Sequence, residues 1–279
     1  ANGTVAIGYQ AGLSLTSGPR QTFIGYQAGY SSTSGQENVF IGYQSGYSEV
    51  DGAGNIYIGK QAGYTIGEGG YNVAIGEEAM KSSGTAGNNN AVYNVAVGNQ
   101  AGYYLSTGDY NVSLGSRAGY DLTTGERNVL VGAFAGDNAS TLGWSVGIGY
   151  QALGGATGSL LTNANATVAI GYQAWGYADG NTGNGVYVGY LAGAHDINGG
   201  NTAVGYRAME VASGSAMVKN VAIGTLSQHN ISYNNAQNNT SIGWGTLQGG
   251  AVTGEVKNNV AIGMGCLAAV TNTYGNVAI

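Results

Sequence analysis

Asn38-Val39-Phe40-Ile41-Gly42-Tyr43-Gln44-Ser45-Gly46-Tyr47 decides the fold, because close variants of this stretch return along the whole chain. Its central glycine recurs at 8, 25, 42, 59, 76, 98, 115, 132, 149, 171, 189, 205, 224, 243 and 263, at 17-residue intervals in two runs and at 16 to 22 elsewhere. Self-similarity at a fixed period marks a repeat architecture. The unit is too short for a helical hairpin, and glycine at this density would cost a helix ~1 kcal/mol apiece. One short strand or strand pair per coil fits instead. The expectation is an all-β, parallel β-solenoid (a β-roll) of about sixteen 17-residue coils, since 279/17 is close to sixteen. It forms one continuous array over 1–279, mostly regular over 1–153 and with longer, irregular coils over 154–279.

Aligned on the central glycine, each column has a physical meaning. The position three residues before it is β-branched in every coil, as in Val39, Ile56 and Val73, and the position one before it is aliphatic in every coil, as in Ile41, Ile58 and Ile75. Two apart, these columns share one face of a strand, and they are expected to form the core. The column between them then faces outward. It carries Phe23, Phe40, Tyr57, Leu130 and Tyr187 with small residues elsewhere, and no charge in sixteen positions. A strand apolar on both faces is normally covered on both. This outward column is therefore expected at the axis of a parallel, in-register homotrimer. Asn recurs four residues before the glycine, as at Asn38, Asn55, Asn72 and Asn94, which suggests a stacked amide ladder along a coil corner. The slot three residues after the glycine is small throughout, and the lone cysteine, Cys266, occupies it as a packed small side chain.

Composition narrows the function classes. Of 279 residues 53 are Gly and one is Pro, so the excess is neither collagen nor a Pro-rich linker. Charged residues make up 8% and apolar residues 43%, the reverse of what disorder needs. A net charge of -6 with eight basic residues supplies no polycation for phosphates, so no nucleic-acid partner is expected. Gly, Asn or Gln interrupts every apolar run before 18 residues, so no membrane insertion is expected. One cysteine excludes an internal disulfide framework and a Cys-built zinc site. The start at Ala1 and the end within a repeat, at Asn276-Val277-Ala278-Ile279, suggest a window of a longer chain.

The segments Val39–Tyr47 and Asn72-Val73-Ala74-Ile75-Gly76 resemble the Val-Ala-Ile-Gly repeats of trimeric autotransporter adhesin heads, the YadA-like β-roll. They resemble still more closely the Ile-Gly-Tyr-Gln-Ala-Gly repeats of phage-type tail-fibre-domain proteins. The resemblance covers essentially the whole chain, with a longer period than the adhesin heads use. It implies a homotrimeric, extracellular, non-enzymatic fibre or adhesin, located on a cell surface or a virion appendage, with itself as partner in a trimer or a longer filament.

A binding surface is legible in the aromatics. Tyr9, Tyr26, Tyr43, Tyr150, Tyr172, Tyr190, Tyr206 and later Trp244 share the column just after the central glycine, and Tyr30, Tyr47, Tyr64, Tyr103 and Tyr120 share the column five after it. Stacked ladders stabilise a solenoid, and rings with polar tips also suit a host-surface glycan or receptor. Shaft and receptor-binding head both stay open. Two alternatives come from other classes. A β-helix carbohydrate-active enzyme needs carboxylates converging on one face; here Glu49, Asp51, Asp137, Asp196 and the other acids lie outside the core motif and read as solvated loop charge. The adjacent pair Glu77-Glu78 reads as half of a ladder salt bridge to Lys60, one coil earlier, and His195 and His229 stand in different coils. An ice-binding solenoid needs a regular Thr array, whereas Thr here is scattered. No catalytic residue, metal or cofactor is expected.

Overall fold

The computed structural model describes residues 3–82, 89–155, 161, 165–177, 183–196, 198–210, 217–231, 236–249, 255–270 and 272–279. The chain divides into two compact units, Ala1–Thr141 and Leu142–Ile279. No helix among the described residues is long and apolar enough to cross a membrane.

In the first unit the glycine-centred motif builds eight strands: β1 Val5–Ile7, β2 Thr22–Ile24, β3 Val39–Ile41, β4 Ile56–Ile58, β5 Val73–Ile75, β6 Val95–Val97, β7 Val112–Leu114 and β8 Val129–Val131. Each pairs in parallel with the next, in sequence order and in repeat register, so that Phe23 stands beside Phe40 and Phe40 beside Tyr57. The second unit repeats the plan with β9 Val146–Ile148, β10 Val168–Ile170, β11 Val186–Val188 and β12 Thr202–Val204. It then alternates two sheets. β14 Val221–Ile223, β16 Thr240–Ile242, β18 Val260–Ile262 and β20 Val277–Ala278 continue the first, while β13 Met217–Val218, β15 Ala236–Gln237, β17 Val256–Lys257 and β19 Thr273–Tyr274 form a second beside it. The fold is a parallel β-solenoid. Seven strand pairings in each unit close fourteen turns, where the length arithmetic suggested about sixteen coils.

The inside and outside of the strand are the reverse of the expectation. Phe23, Phe40, Tyr57, Leu130 and Tyr187 are fully buried within their own chain, so they form the solenoid core and cannot line a trimer axis. The β-branched and aliphatic columns on either side of them point out and are half-buried or exposed in every coil. Period-two alternation says only that two columns share a face; which face is inside is set by the volume available. That volume comes from the position four residues after the central glycine. A Cβ on Gly46 would lie 2.5 Å from Phe40 Cδ2, one on Gly63 2.4 Å from Tyr57 Cδ2, and one on Gly193 2.0 Å from Tyr187 Cδ1. In four coils with a small strand residue the relation inverts: Ala74 is matched by Met80, Gly147 by Leu153, Ala169 by Trp175 and Ala203 by Met209, all buried. In these coils core volume is divided between two positions, whereas the coils of Ala96 with Gly102 and Ser113 with Gly119 are small at both. Within the core Phe23 stacks on Phe40 at 5.2 Å and Phe40 on Tyr57 at 4.9 Å.

The central glycine is dictated by stacking. Its φ lies between 114° and 139°, and from Gly8 to Gly115 and again from Gly149 to Gly243 an added Cβ would meet the carbonyl oxygen of the next coil's glycine at 2.3–2.6 Å. The amide ladder is present as expected. Asn38, Asn55, Asn72, Asn94, Asn111 and Asn128 are buried, and the Oδ1 of each of the first five accepts the next Asn backbone N–H at 2.8–3.1 Å. Their Nδ2 groups donate to turn carbonyls, as Asn94 does to Gly108 at 2.9 Å. Asn94→Ala orphans the Asn111 backbone donor and the Gly108 acceptor in a buried corner, and should destabilise the first unit by about 2–4 kcal/mol in a denaturant titration.

Candidate functional site

The reversed strand leaves an unusual surface. Its two outward columns are aliphatic or threonine in all sixteen strands, and Val5, Ile56, Ile75, Val129, Ile148, Ile170, Val186, Ile223 and Ile242 are each more than a third exposed. No charged residue stands in either column. Apolar surface of this kind, eight strands in each unit, is uncommon on monomeric proteins. The sequence reading assigned this face to the core and so missed it; its signal was the uniformity of the two columns, which core and interface produce alike.

Aromatic rails flank the face. Tyr9, Tyr26 and Tyr43, then Tyr150, Tyr172, Tyr190 and Tyr206, follow the central glycine and are exposed as expected, with Trp244 exposed in the same column. Their rings stack one coil on the next, at 5.4 and 5.3 Å in the first group and 5.1 to 5.3 Å in the second. Ring faces are therefore covered by neighbouring rings, and the rails present rims and hydroxyls. A second rail, unread in the sequence, lies on the opposite flank five residues before the glycine: Tyr71, Tyr93 and Tyr110, stacked at 5.1 Å, with the Arg127 guanidinium 5.6 Å from the Tyr110 ring centroid. Every one of these residues has positive φ, near 58°, which disguised the column as a loop position. Lys60 bridges to Glu77 at 2.8 Å across one coil, the ladder pair expected, but both are exposed, which limits its worth to about 0–1 kcal/mol.

Two carboxylates read as loop charge lie in the core. Glu49 and Asp196 occupy equivalent positions, seven residues after a central glycine, and both are fully buried beside a core tyrosine. Asp196 Oδ2 accepts the Tyr187 hydroxyl and Asn201 Nδ2, each at 2.7 Å. Glu49 Oε1 accepts the Gly52 N–H at 2.7 Å, while its Oε2 and the Tyr57 hydroxyl are buried without hydrogen bonds. Burial pushes Glu49 well above the usual carboxylate range. It also pushes Asp196 up to about 6, against the pull of the Tyr187 and Asn201 donors.

In the unfolded chain an Asp ionises near 3.9, whereas folded Asp196 keeps its proton to about 6. The native state binds more protons across that window. The stabilisation is full below pH ~4 and is lost as pH rises through about 6. Thermal melts of the parent should therefore fall from pH 4 to pH 7, by on the order of 2 kcal/mol relative to Asp196→Asn, whose amide oxygen accepts the same two bonds without titrating. Parallel pH profiles for the two proteins would contradict this assignment.

The remaining candidates fall in separate places. His195 stacks on Tyr177 at 4.8 Å. His229 is buried with Nε2 3.5 Å from Glu210, and burial lowers its pKa against the pull of that carboxylate. Cys266 donates to the Ile262 carbonyl at 3.1 Å from its small-residue slot. Among the described residues no group of three or more His, Cys, Asp or Glu could hold a metal ion. Comparison with family models, with curated proteins and with solved structures finds no match for this chain. What the geometry defines is therefore a class: a parallel β-solenoid with a charge-free aliphatic sheet face edged by stacked tyrosines, after the strand at Tyr9–Tyr43 and Tyr150–Tyr206 and before it at Tyr71–Tyr110.

Proposed function

We propose that this chain is a structural, self-associating segment of an extracellular fibre or adhesin, a homotrimeric shaft or head on a cell surface or virion appendage, without a catalytic centre. The observation that carries the reading is the outward aliphatic face, charge-free in both columns of every strand. Copies of the chain cover it, since an apolar strip of eight strands in each unit left in water is an aggregation hazard and a closed symmetric assembly removes it. The interface is thus the Val and Ile columns, not the phenylalanine column between them. The resemblance of the repeats to fibre and adhesin-head repeats supports the extracellular setting. A host-surface glycan or receptor meets the tyrosine rails by their rims and hydroxyls.

Ile75→Asp tests this reading, because Ile75 is 37% exposed on the face and its replacement leaves the core intact. The variant should keep its strand signature by circular dichroism and lose its assembly by sedimentation. An Ile75→Asp protein that assembles as the parent does would overturn the assignment of the face.

A further inference from the structure

The exposed tyrosines stand in stacks rather than singly. Tyr9, Tyr26 and Tyr43, then Tyr71, Tyr93 and Tyr110, then Tyr150, Tyr172, Tyr190 and Tyr206 are each between 41% and 64% exposed. Successive rings in a stack lie 5.1 to 5.4 Å apart, with planes 4° to 17° from parallel. Each stack occupies one position of successive coils, so every phenol has another phenol as its neighbour in its own chain. The core tyrosines differ on both counts: Tyr57 stacks on Phe40 and Tyr187 on Trp175, and all four are fully buried. Against 21 tyrosines the chain carries one thiol, Cys266, so phenol is the abundant group able to give up a single electron.

We propose that the exposed stacks are sites of oxidative tyrosine coupling, in which a one-electron oxidant of the haem-peroxidase and hydrogen peroxide class joins rings of successive coils within one chain. Each of two neighbouring phenols loses an electron and its hydroxyl proton, which leaves two phenoxyl radicals. The radicals form one carbon–carbon bond between ring positions ortho to the hydroxyls, and the hydrogen on each of those carbons leaves as a proton while each oxygen regains one. Two hydrogens are lost in all, and one hydrogen peroxide takes them up and becomes two waters. Proximity favours the neighbour, because a ring held about 5 Å away is at an effective concentration far above that of any ring on a separate chain at micromolar protein. The bond requires the rings to tip out of parallel, which surface rings have room to do and the packed core rings do not. A link between Tyr26 and Tyr43 closes a loop of one coil and restricts the unfolded chain, so coupling would staple the solenoid coil to coil. The proposal concerns the single chain and does not depend on the self-association proposed above.

Treatment of the parent with a haem peroxidase and hydrogen peroxide tests this. Dityrosine fluorescence should appear on a chain that still runs as a monomer on a denaturing gel, and its yield per chain should stay within about twofold over roughly a hundredfold dilution. Peptide mapping by mass spectrometry should place the links between stack neighbours, such as Tyr26 with Tyr43 and Tyr172 with Tyr190, each link lighter by two hydrogens. Tyr26→Phe keeps the ring and removes the phenol, so both links of its stack should vanish while those of Tyr150 to Tyr206 persist; Tyr172→Phe makes the same test in the second unit and should spare the link of Tyr190 to Tyr206. Coupling seen only between copies, as covalent dimers that fade on dilution, would overturn the proposal and leave the assembly question untouched. So would links that involve Tyr274, which is 68% exposed and outside these stacks, as often as stack neighbours. Absence of dityrosine under conditions that couple free tyrosine would overturn it as well.

Discussion

Phe40→Glu should unfold the solenoid around its third coil, whereas Ile41→Glu, one residue on, should leave it folded. Phe40 is fully buried between the rings of Phe23 and Tyr57, and Gly46 is kept free of a side chain to make room for it. Truncation to Ala leaves a cavity costing about 3–5 kcal/mol. A carboxylate there has no partner and costs more. Stability in a solenoid is a nearest-neighbour sum, so the damage spreads to adjoining coils. Limited proteolysis should cut Phe40→Glu near Gly42 and spare Ile41→Glu. Equal resistance of the two proteins would return the aliphatic columns to the core.

Gly59→Ala should be nearly as damaging for a different reason. The residue sits at φ 135°, and its Cβ would lie 2.5 Å from the Gly76 carbonyl oxygen, a backbone atom of the next coil that cannot move without parting the strand ladder. Strain and clash together should exceed about 4 kcal/mol. Gly200→Ala provides the comparison: φ is 68° and nothing lies within 4 Å of its Cβ. The cost there is the left-handed backbone alone, about 1–2 kcal/mol. Urea titrations of the two variants should differ by at least about 2 kcal/mol. Equal losses would mean that the inter-coil approach does not select glycine.

These two cases mark what the sequence could and could not tell. The period, the strand positions, the parallel register, the Asn38–Asn128 corner ladder and the Lys60–Glu77 pair were all legible, because each follows from recurrence at one offset. The facing of the strand was not. Val39 and Ile41 satisfy the pattern of a core and of an interface equally, and the deciding residue, Gly46, lies outside the strand. Glu49 and Asp196 were misread because burial of an acid beside a core tyrosine leaves no local trace. The equivalence of their positions, seven residues after Gly42 and Gly189, was the one available sign. The Tyr71–Tyr93–Tyr110 rail was visible at a fixed offset, but its positive φ is a tertiary consequence of the coil corner.

Sedimentation equilibrium of the parent chain at micromolar concentration tests the central claim most directly. If the aliphatic, charge-free strand faces are covered by copies of the chain as proposed, the chain should give a single species of three times 28.0 kDa. A stable species of 28.0 kDa would contradict it.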